Sequence, residues 1–312
     1  MDNKPRMTRA LAVAITRAAS KQTYYTIRFF VDRELVADAY RAYAYYRWVD
    51  DTLDSPTGGM AEKLAFAARQ AGLLEALCRG DDPPDLCLEE RMLAELVRKD
   101  TGENPGLCSY LRDMMWVMTF DAGRRGRLIS QAELAEYSRR LACAVTNAMH
   151  YFIGHDDPLP EHAARYLAVE AAHITHMLRD ALDDVANGYF NIPREVLQAQ
   201  GISAGEADSQ AYRDWVRKRV QLARSYFRAG RDCLAGVKSW RCRLAGYAYT
   251  ARFEWVLDLI ERDGYRLRPE YSARKGLQAL LWISWRTLQS LLASPWARAR
   301  SPRSPGKIPL LD

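Results

Sequence analysis

Long apolar runs are scarce in this chain: none of its 312 residues fall in an uninterrupted apolar stretch of the roughly 18 residues needed to span a bilayer as a helix. The six cysteines, Cys78, Cys87, Cys108, Cys143, Cys233 and Cys242, include no CxxC pair, and no secretory signal precedes them. Reduced thiols in a cytoplasmic protein are therefore expected. Basic residues form no block, since 45 Lys and Arg are dispersed among 39 Asp and Glu for a net charge of +6. A nucleic-acid partner calls for a basic stripe on a recognisable module, so none is expected. Also missing are a Pro/Gly/Ser-rich linker, a repeat of solenoid period and a Gly-rich dinucleotide fingerprint. One large domain follows from the first two of these; the third leaves NADPH dependence open.

What is present is helical periodicity, with strand-like alternation almost absent. From Arg33 to Thr52, Leu35, Val36, Ala39, Tyr40, Tyr43, Tyr46 and Val49 recur at spacings of three and four, the pattern of an amphipathic helix. Gln131 to Ile153, His162 to Asn187, Ala211 to Leu234 and Gly246 to Arg262 read alike, and Ser130 with Glu133 forms a capping-box signature. Gly- and Pro-containing breaks separate these segments. The predicted architecture is an all-α, single-domain bundle of roughly ten helices with a central cavity. It should occupy residues 1–293, with 294–312 a flexible, basic Pro/Arg-rich tail. Leu277 to Leu292 is the most apolar segment and is followed by Arg298, Arg300 and Arg303. It admits two readings, a final core helix or a helix lying on a membrane surface with its basic neighbours at anionic headgroups; the first is favoured.

Two acidic clusters about 130 residues apart stand out: Asp50-Asp51-Thr52-Leu53-Asp54 and Asp180-Ala181-Leu182-Asp183-Asp184. Residues four apart share a helix face, so Asp50 pairs with Asp54 and Asp180 with Asp184. Stacked carboxylates repel unless a cation lies between them. Mg²⁺ prefers oxygen ligands and is commonly held by one or two carboxylates plus substrate phosphates. At about 100° per residue, His173, His176, Asp180, Asp184 and Asn187 fall in a stripe roughly 80° wide, and Tyr43, Arg47, Asp50 and Asp54 make another. An arginine beside such carboxylates suits a diphosphate, whose oxygens accept its forked donors.

The segment Tyr43-Ala44-Tyr45-Tyr46-Arg47-Trp48-Val49-Asp50-Asp51-Thr52-Leu53-Asp54 resembles the first aspartate motif of the squalene and phytoene synthase family. Leu178-Arg179-Asp180-Ala181-Leu182-Asp183-Asp184, followed by Gly188 and Pro193, resembles its second. Ser20-Lys21-Gln22-Thr23-Tyr24 is similar to the family's diphosphate-contacting segment, and Glu133-Leu134-Ala135-Glu136-Tyr137 to its central helix. The resemblance runs from about Ser20 to about Tyr265. Four departures accompany it. His173 and His176 stand where the family usually has Gln and Asn. Ala142-Cys143-Ala144-Val145-Thr146 replaces a pattern with two glycines. Gly188-Tyr189-Phe190-Asn191-Ile192-Pro193 lacks an arginine and a tyrosine, and Phe253 replaces a tyrosine.

The resemblance implies a class I isoprenoid synthase fold and a prenyltransferase. Such an enzyme ionises farnesyl or geranylgeranyl diphosphate with two or three Mg²⁺ ions and couples two molecules head to head through a cyclopropyl intermediate. It implies Asp50, Asp51, Asp54, Asp180, Asp184 and His176 as metal-binding residues and Lys21, Thr23, Arg47 and Arg179 as diphosphate contacts. Tyr137, Arg47 and Tyr43 are the implied catalytic residues, with the tyrosine of the central helix a proton acceptor. Tyr24, Tyr43, Tyr46, Phe120, Tyr137 and Phe253 are candidates for sheltering a carbocation by cation–π attraction. The alternatives are ionisation followed by terpene cyclisation, or by transfer to a non-isoprenoid acceptor. A catalytically silent scaffold is disfavoured, because clustered carboxylates with no task cost stability.

Overall fold

The computed structural model describes residues 4–99, 106–154 and 163–298. Among them the chain forms twelve α-helices: α1 (Lys4–Ala19), α2 (Lys21–Phe30), α3 (Val36–Asp54), α4 (Met60–Cys78), α5 (Leu88–Arg98), α6 (Gly106–Arg124), α7 (Gln131–Ile153), α8 (Leu167–Ala186), α9 (Arg194–Gln200), α10 (Gln210–Gly236), α11 (Trp240–Arg262) and α12 (Leu277–Arg298). The expected all-α architecture is what is found. Helix α12 runs past the expected boundary at residue 293 to Arg298, and the rest of the expected tail lies outside the described residues.

Two apolar cores underlie the fold. One joins α3 to α1, α4, α5 and α6 around Tyr45, Leu74, Met92, Leu93, Leu107 and Leu111, and the other joins α8, α10 and α11 around Ile174, Val216, Val220, Phe227 and Leu257. A smaller cluster of Val117, Ile129, Leu134, Tyr137 and Met177 lies where α6, α7 and α8 meet. The two aspartate helices thus belong to different cores. Their separation is set by packing on both sides, not by either motif.

Close contacts fix α8. A Cβ added at Gly230 of α10 would lie 2.6 Å from the Ala168 Cβ and 2.7 Å from its backbone nitrogen, so glycine is what lets α10 cross α8 this tightly. Beyond the C-terminus of α8, Gly188 adopts φ +82, a conformation costly for any residue with a Cβ. Its carbonyl accepts from the Gly126 N–H at 2.7 Å, Leu128 and Phe190 form a parallel bridge, and the Arg194 N–H donates to the Ile129 carbonyl at 2.9 Å. These bonds stitch the α6–α7 loop to the segment after α8. At α7 the predicted capping box is present, with the Glu133 N–H donating to Ser130 Oγ at 3.1 Å and the Ser130 N–H to Glu133 Oε2 at 2.7 Å.

Helix α12 packs on α11, where Trp282 meets Trp255 with ring centroids 5.4 Å apart. Its other face is open: Leu277, Leu280, Leu281, Trp285, Leu288 and Leu292 are all exposed. Among the described residues no helix is long and apolar enough to cross a membrane.

Candidate active site

Both acidic motifs open onto one cavity of about 350 Å³. Asp50 and Asp54 enter it from α3, and His173, His176, Met177, Asp180 and Asp184 from α8. The i, i+4 spacing in each motif therefore does place its paired carboxylates on the site face. Tyr137 enters from α7, Asp121 and Arg124 from the end of α6, and Tyr189 and Asn191 from the segment after α8.

The remaining predicted residues, Lys21, Thr23, Tyr43, Arg47, Asp51 and Arg179, are not part of this lining. Arg47 pairs with Asp50 at 3.2 Å and also with Asp51, which points outward. Arg179, largely buried, grips Asp180 through Nε and Nη2. Lys21 is exposed at the start of α2, where Ser20 Oγ caps the helix by accepting from the Thr23 N–H at 3.1 Å. That turn faces α11, since Arg252 donates to Gln22 Oε1 at 2.7 Å. Tyr43 packs against the first core. Asn187, expected on the site face, instead caps its own helix by donating to the Asp183 carbonyl at 2.8 Å. Of the candidate aromatics, Tyr137 lines the cavity and Phe120 packs beside it with centroids 5.1 Å apart. Tyr46 donates to the Leu111 carbonyl inside the first core, Tyr24 packs on Tyr40, and Phe253 belongs to the second core.

Sequence reasoning missed the connection between the two halves. Tyr137 Oη donates to Asp121 Oδ2 at 2.7 Å, and Arg124 Nε donates to Asp121 Oδ1 at 2.6 Å. Arg124 Nη1 then donates to Asn191 Oδ1 at 2.9 Å, and Asn191 Nδ2 to Asp184 Oδ2 at 2.6 Å. The Arg124 guanidinium also lies 5.0 Å from the ring centroids of Tyr137 and Tyr189, within cation–π range. One unbroken chain of bonds thus links the central tyrosine to the second aspartate motif. Arg124 of α6 thus stands against the segment after α8, at Tyr189 and Asn191.

The electrostatics divide the carboxylates. Burial, then repulsion from Asp54, pushes Asp50 up to about 6 despite the opposing Arg47. Burial, then Asp180, does the same to Asp184, again to about 6, although Arg124 and Asn191 resist. Asp180 differs: burial works against its charge, but hydrogen bonds from Arg179 and His176 hold it below the usual carboxylate range. The His176 Nε2 contact with Asp180 is 2.8 Å. Burial and Asp121 raise Tyr137 well above the ordinary phenol value, so a phenolate is not populated. Among the described residues no three His, Cys, Asp or Glu side chains converge into a ready-made metal cage. The carboxylates stand in pairs on opposite walls.

Residues 16–279 match the family model described as squalene/phytoene synthase. A curated relative, presqualene diphosphate synthase from Zymomonas mobilis, is 27% identical over 194 residues, a stretch covering 61% of this chain and 62% of that protein's length. The squalene synthase HpnC from Alicyclobacillus acidocaldarius shares the fold with TM-score 0.66 at 18% identity, over 86% of this chain and 98% of that one. A ligand complex of TcSQS gives TM-score 0.61 at 14% identity, over 98% and 94% respectively. With the family model matched across both aspartate motifs and the helices that carry them, the chain belongs to the squalene/phytoene synthase family.

Proposed function

We propose that this protein is a Mg²⁺-dependent prenyltransferase that ionises farnesyl or geranylgeranyl diphosphate and couples two such molecules head to head. The carrying observation is the pair of carboxylates on α3 facing the pair on α8 across one cavity. The donor set fits a hard cation. Asp50, Asp54 and Asp184 offer oxygen only, and the upward shift of Asp50 and Asp184 to about 6 marks carboxylates whose charge is under-compensated by the protein. Asp50 and Asp54 would hold metal on one wall and Asp180 and Asp184 on the other. His176 is better employed orienting Asp180, since imidazole nitrogen suits Mg²⁺ less well than oxygen. Bound Mg²⁺ supplies positive charge that stabilises the departing diphosphate.

The chain's own groups do the rest. Arg47 and Arg179 offer forked donors to diphosphate oxygens at either motif. Arg252 adds to the basic wall near Arg179, where burial, then that neighbour and Arg274, lower its pKa. Tyr137, backed by Phe120, is an aromatic side chain on the cavity that can shelter the allylic cation, and Met177 helps to exclude water. A second reading rests on size: about 350 Å³ is near the low end for ligand cavities, roughly 300–1,000 Å³, which favours a single prenyl unit that cyclises or passes to another acceptor.

Incubation of the purified protein with each diphosphate and Mg²⁺, with and without NADPH, tests this by mass spectrometry. A coupled thirty- or forty-carbon product supports the first reading, and its appearance without NADPH places the end of the reaction before any reductive step. Products built from one prenyl unit support the second. No diphosphate release, or release that persists in Asp50→Ala and Asp180→Ala, overturns both.

The open face of α12 fits an anionic membrane surface. Its six exposed apolar residues form one stripe, the helix contains no Asp or Glu, and Arg274 and Lys275 precede it. Apolar burial in the interface combined with attraction to anionic headgroups is the physics of a peripheral helix, and prenyl chains partition into the same phase.

A further inference from the structure

His173 lies in the middle of the cavity wall, one turn from His176 and against Tyr137, and it takes no part in the network that unites the site. Its side chain is only 6% exposed, yet Nδ1 makes no hydrogen bond. The ring meets Tyr137 edge-on, with centroids 4.8 Å apart and planes at 74°. A buried polar atom without a partner costs stability, so packing alone is a poor reason to keep imidazole here. An apolar ring would fill the same space at lower cost.

A carbocation formed in this cavity ends its life by losing a proton, by capturing water or by rearranging. Proton loss needs a base with a free electron pair at ordinary pH. Tyr137 is poorly suited: its hydroxyl is committed as a donor to Asp121. His176 is turned to Asp180. Burial, then the nearby charges of His176 and Arg124, keeps His173 well below the usual imidazole value, so its ring is neutral and carries an available lone pair.

Resting on the reading given above, we propose that His173, not Tyr137, is the proton acceptor of the coupling step. The double bond of the second prenyl unit first bonds to the carbon that lost its diphosphate, which leaves the cation on the second unit; a C–H bond at that first carbon then breaks, and its electron pair closes the cyclopropane ring onto the cationic carbon. The proton moves to the imidazole and leaves to solvent with the released diphosphate. With only one prenyl unit present, the same transfer leaves a carbon–carbon double bond.

The test compares wild type with His173→Asn, whose amide stands near the place of Nδ1 without a usable base, and His173→Phe, which keeps a ring against Tyr137. Prenyl diphosphate carrying deuterium at both C1 positions is supplied, and coupled product, prenyl alcohol and diphosphate are measured together. Wild type should form a coupled product that has lost one deuteron. In both variants the ratio of coupled product to diphosphate released should fall by about 100-fold or more, the scale of general-base catalysis, with prenyl alcohol taking its place. If wild type yields olefin instead, the ratio of olefin to alcohol should fall likewise. Unchanged ratios in a folded variant overturn the role of His173 while leaving the proposed function intact. A wild type that releases no diphosphate overturns the function itself.

Discussion

At the residue scale, the site trades stability for charge. Asp184 ionises less readily in the folded chain than in an unfolded one, because burial and Asp180 raise it to about 6. A carboxyl raised on folding contributes stability that is fully present below its unfolded value and is lost as pH rises through the folded value. Asp184→Asn removes that loss, and asparagine still accepts the Asn191 hydrogen bond. The variant should therefore melt higher than wild type at pH 7.5 without Mg²⁺, and the gap should close below about pH 4. Mg²⁺-dependent diphosphate release should collapse in the same variant. In wild type that release should decline as pH falls through about 6, where protons compete for Asp50 and Asp184. Melting curves at the two pH values check the first expectation and a diphosphate assay the others. The aspartates were legible in the sequence because a four-residue spacing fixes a helix face without any knowledge of the partner helix. Asp121, Arg124, Tyr189 and Asn191 were not. They come from the end of one helix and a loop some 67 residues away, and only folding brings them together. The single available signal was Asp121 with Arg124, an i, i+3 pair of opposite charge after the apolar run Met114 to Phe120 that Thr119 alone interrupts.

At the scale of elements, periodicity located the helices but not all of their ends. Helix α7 begins and ends where its capping box and apolar pattern say it should. Helix α3 starts later than expected, at Val36, because Leu35 N–H turns back to the Asp32 carbonyl at 2.8 Å. Helix α11 starts earlier, at Trp240, capped by Ser239. Gly246 reads as a helix boundary in sequence, yet it sits inside α11, where an added Cβ would lie 2.8 Å from a Leu234 methyl. Glycine there permits close approach, which no single-chain pattern reveals. Gly230 makes the stronger case. Gly230→Ala puts a methyl against Ala168 backbone as well as side chain, so α10 must move off α8, at a cost of about 1–3 kcal/mol. The urea midpoint should fall with little change in slope. Adding Ala168→Gly should recover only part of the loss, since the Ala168 nitrogen still lies 2.7 Å from the new carbon. Full recovery would mean that the crossing is set elsewhere.

At the scale of the whole molecule, the fold separates a charged interior site from a greasy exterior. The cavity sits between two cores, while α12 packs on α11 through Trp282 and leaves its apolar stripe exposed. A membrane contact on α12 therefore need not disturb the aspartates, and binding and chemistry should be separable. Vesicles of phosphatidylcholine with about 30% phosphatidylserine should pull the protein down, with little retention on phosphatidylcholine alone or at high salt. Trp285, exposed in the middle of the stripe, should contribute a blue shift in fluorescence on binding. The double variant Leu281→Glu with Trp285→Glu places two charges on the apolar face and should weaken vesicle binding at least tenfold, while diphosphate release from dispersed substrate continues. Should the same variant instead halve the particle mass in light scattering and leave vesicle binding unchanged, the stripe would be an interface between two copies of the chain. That outcome would transfer the apolar face from lipid to protein, because one stripe of six side chains cannot be buried in both at once.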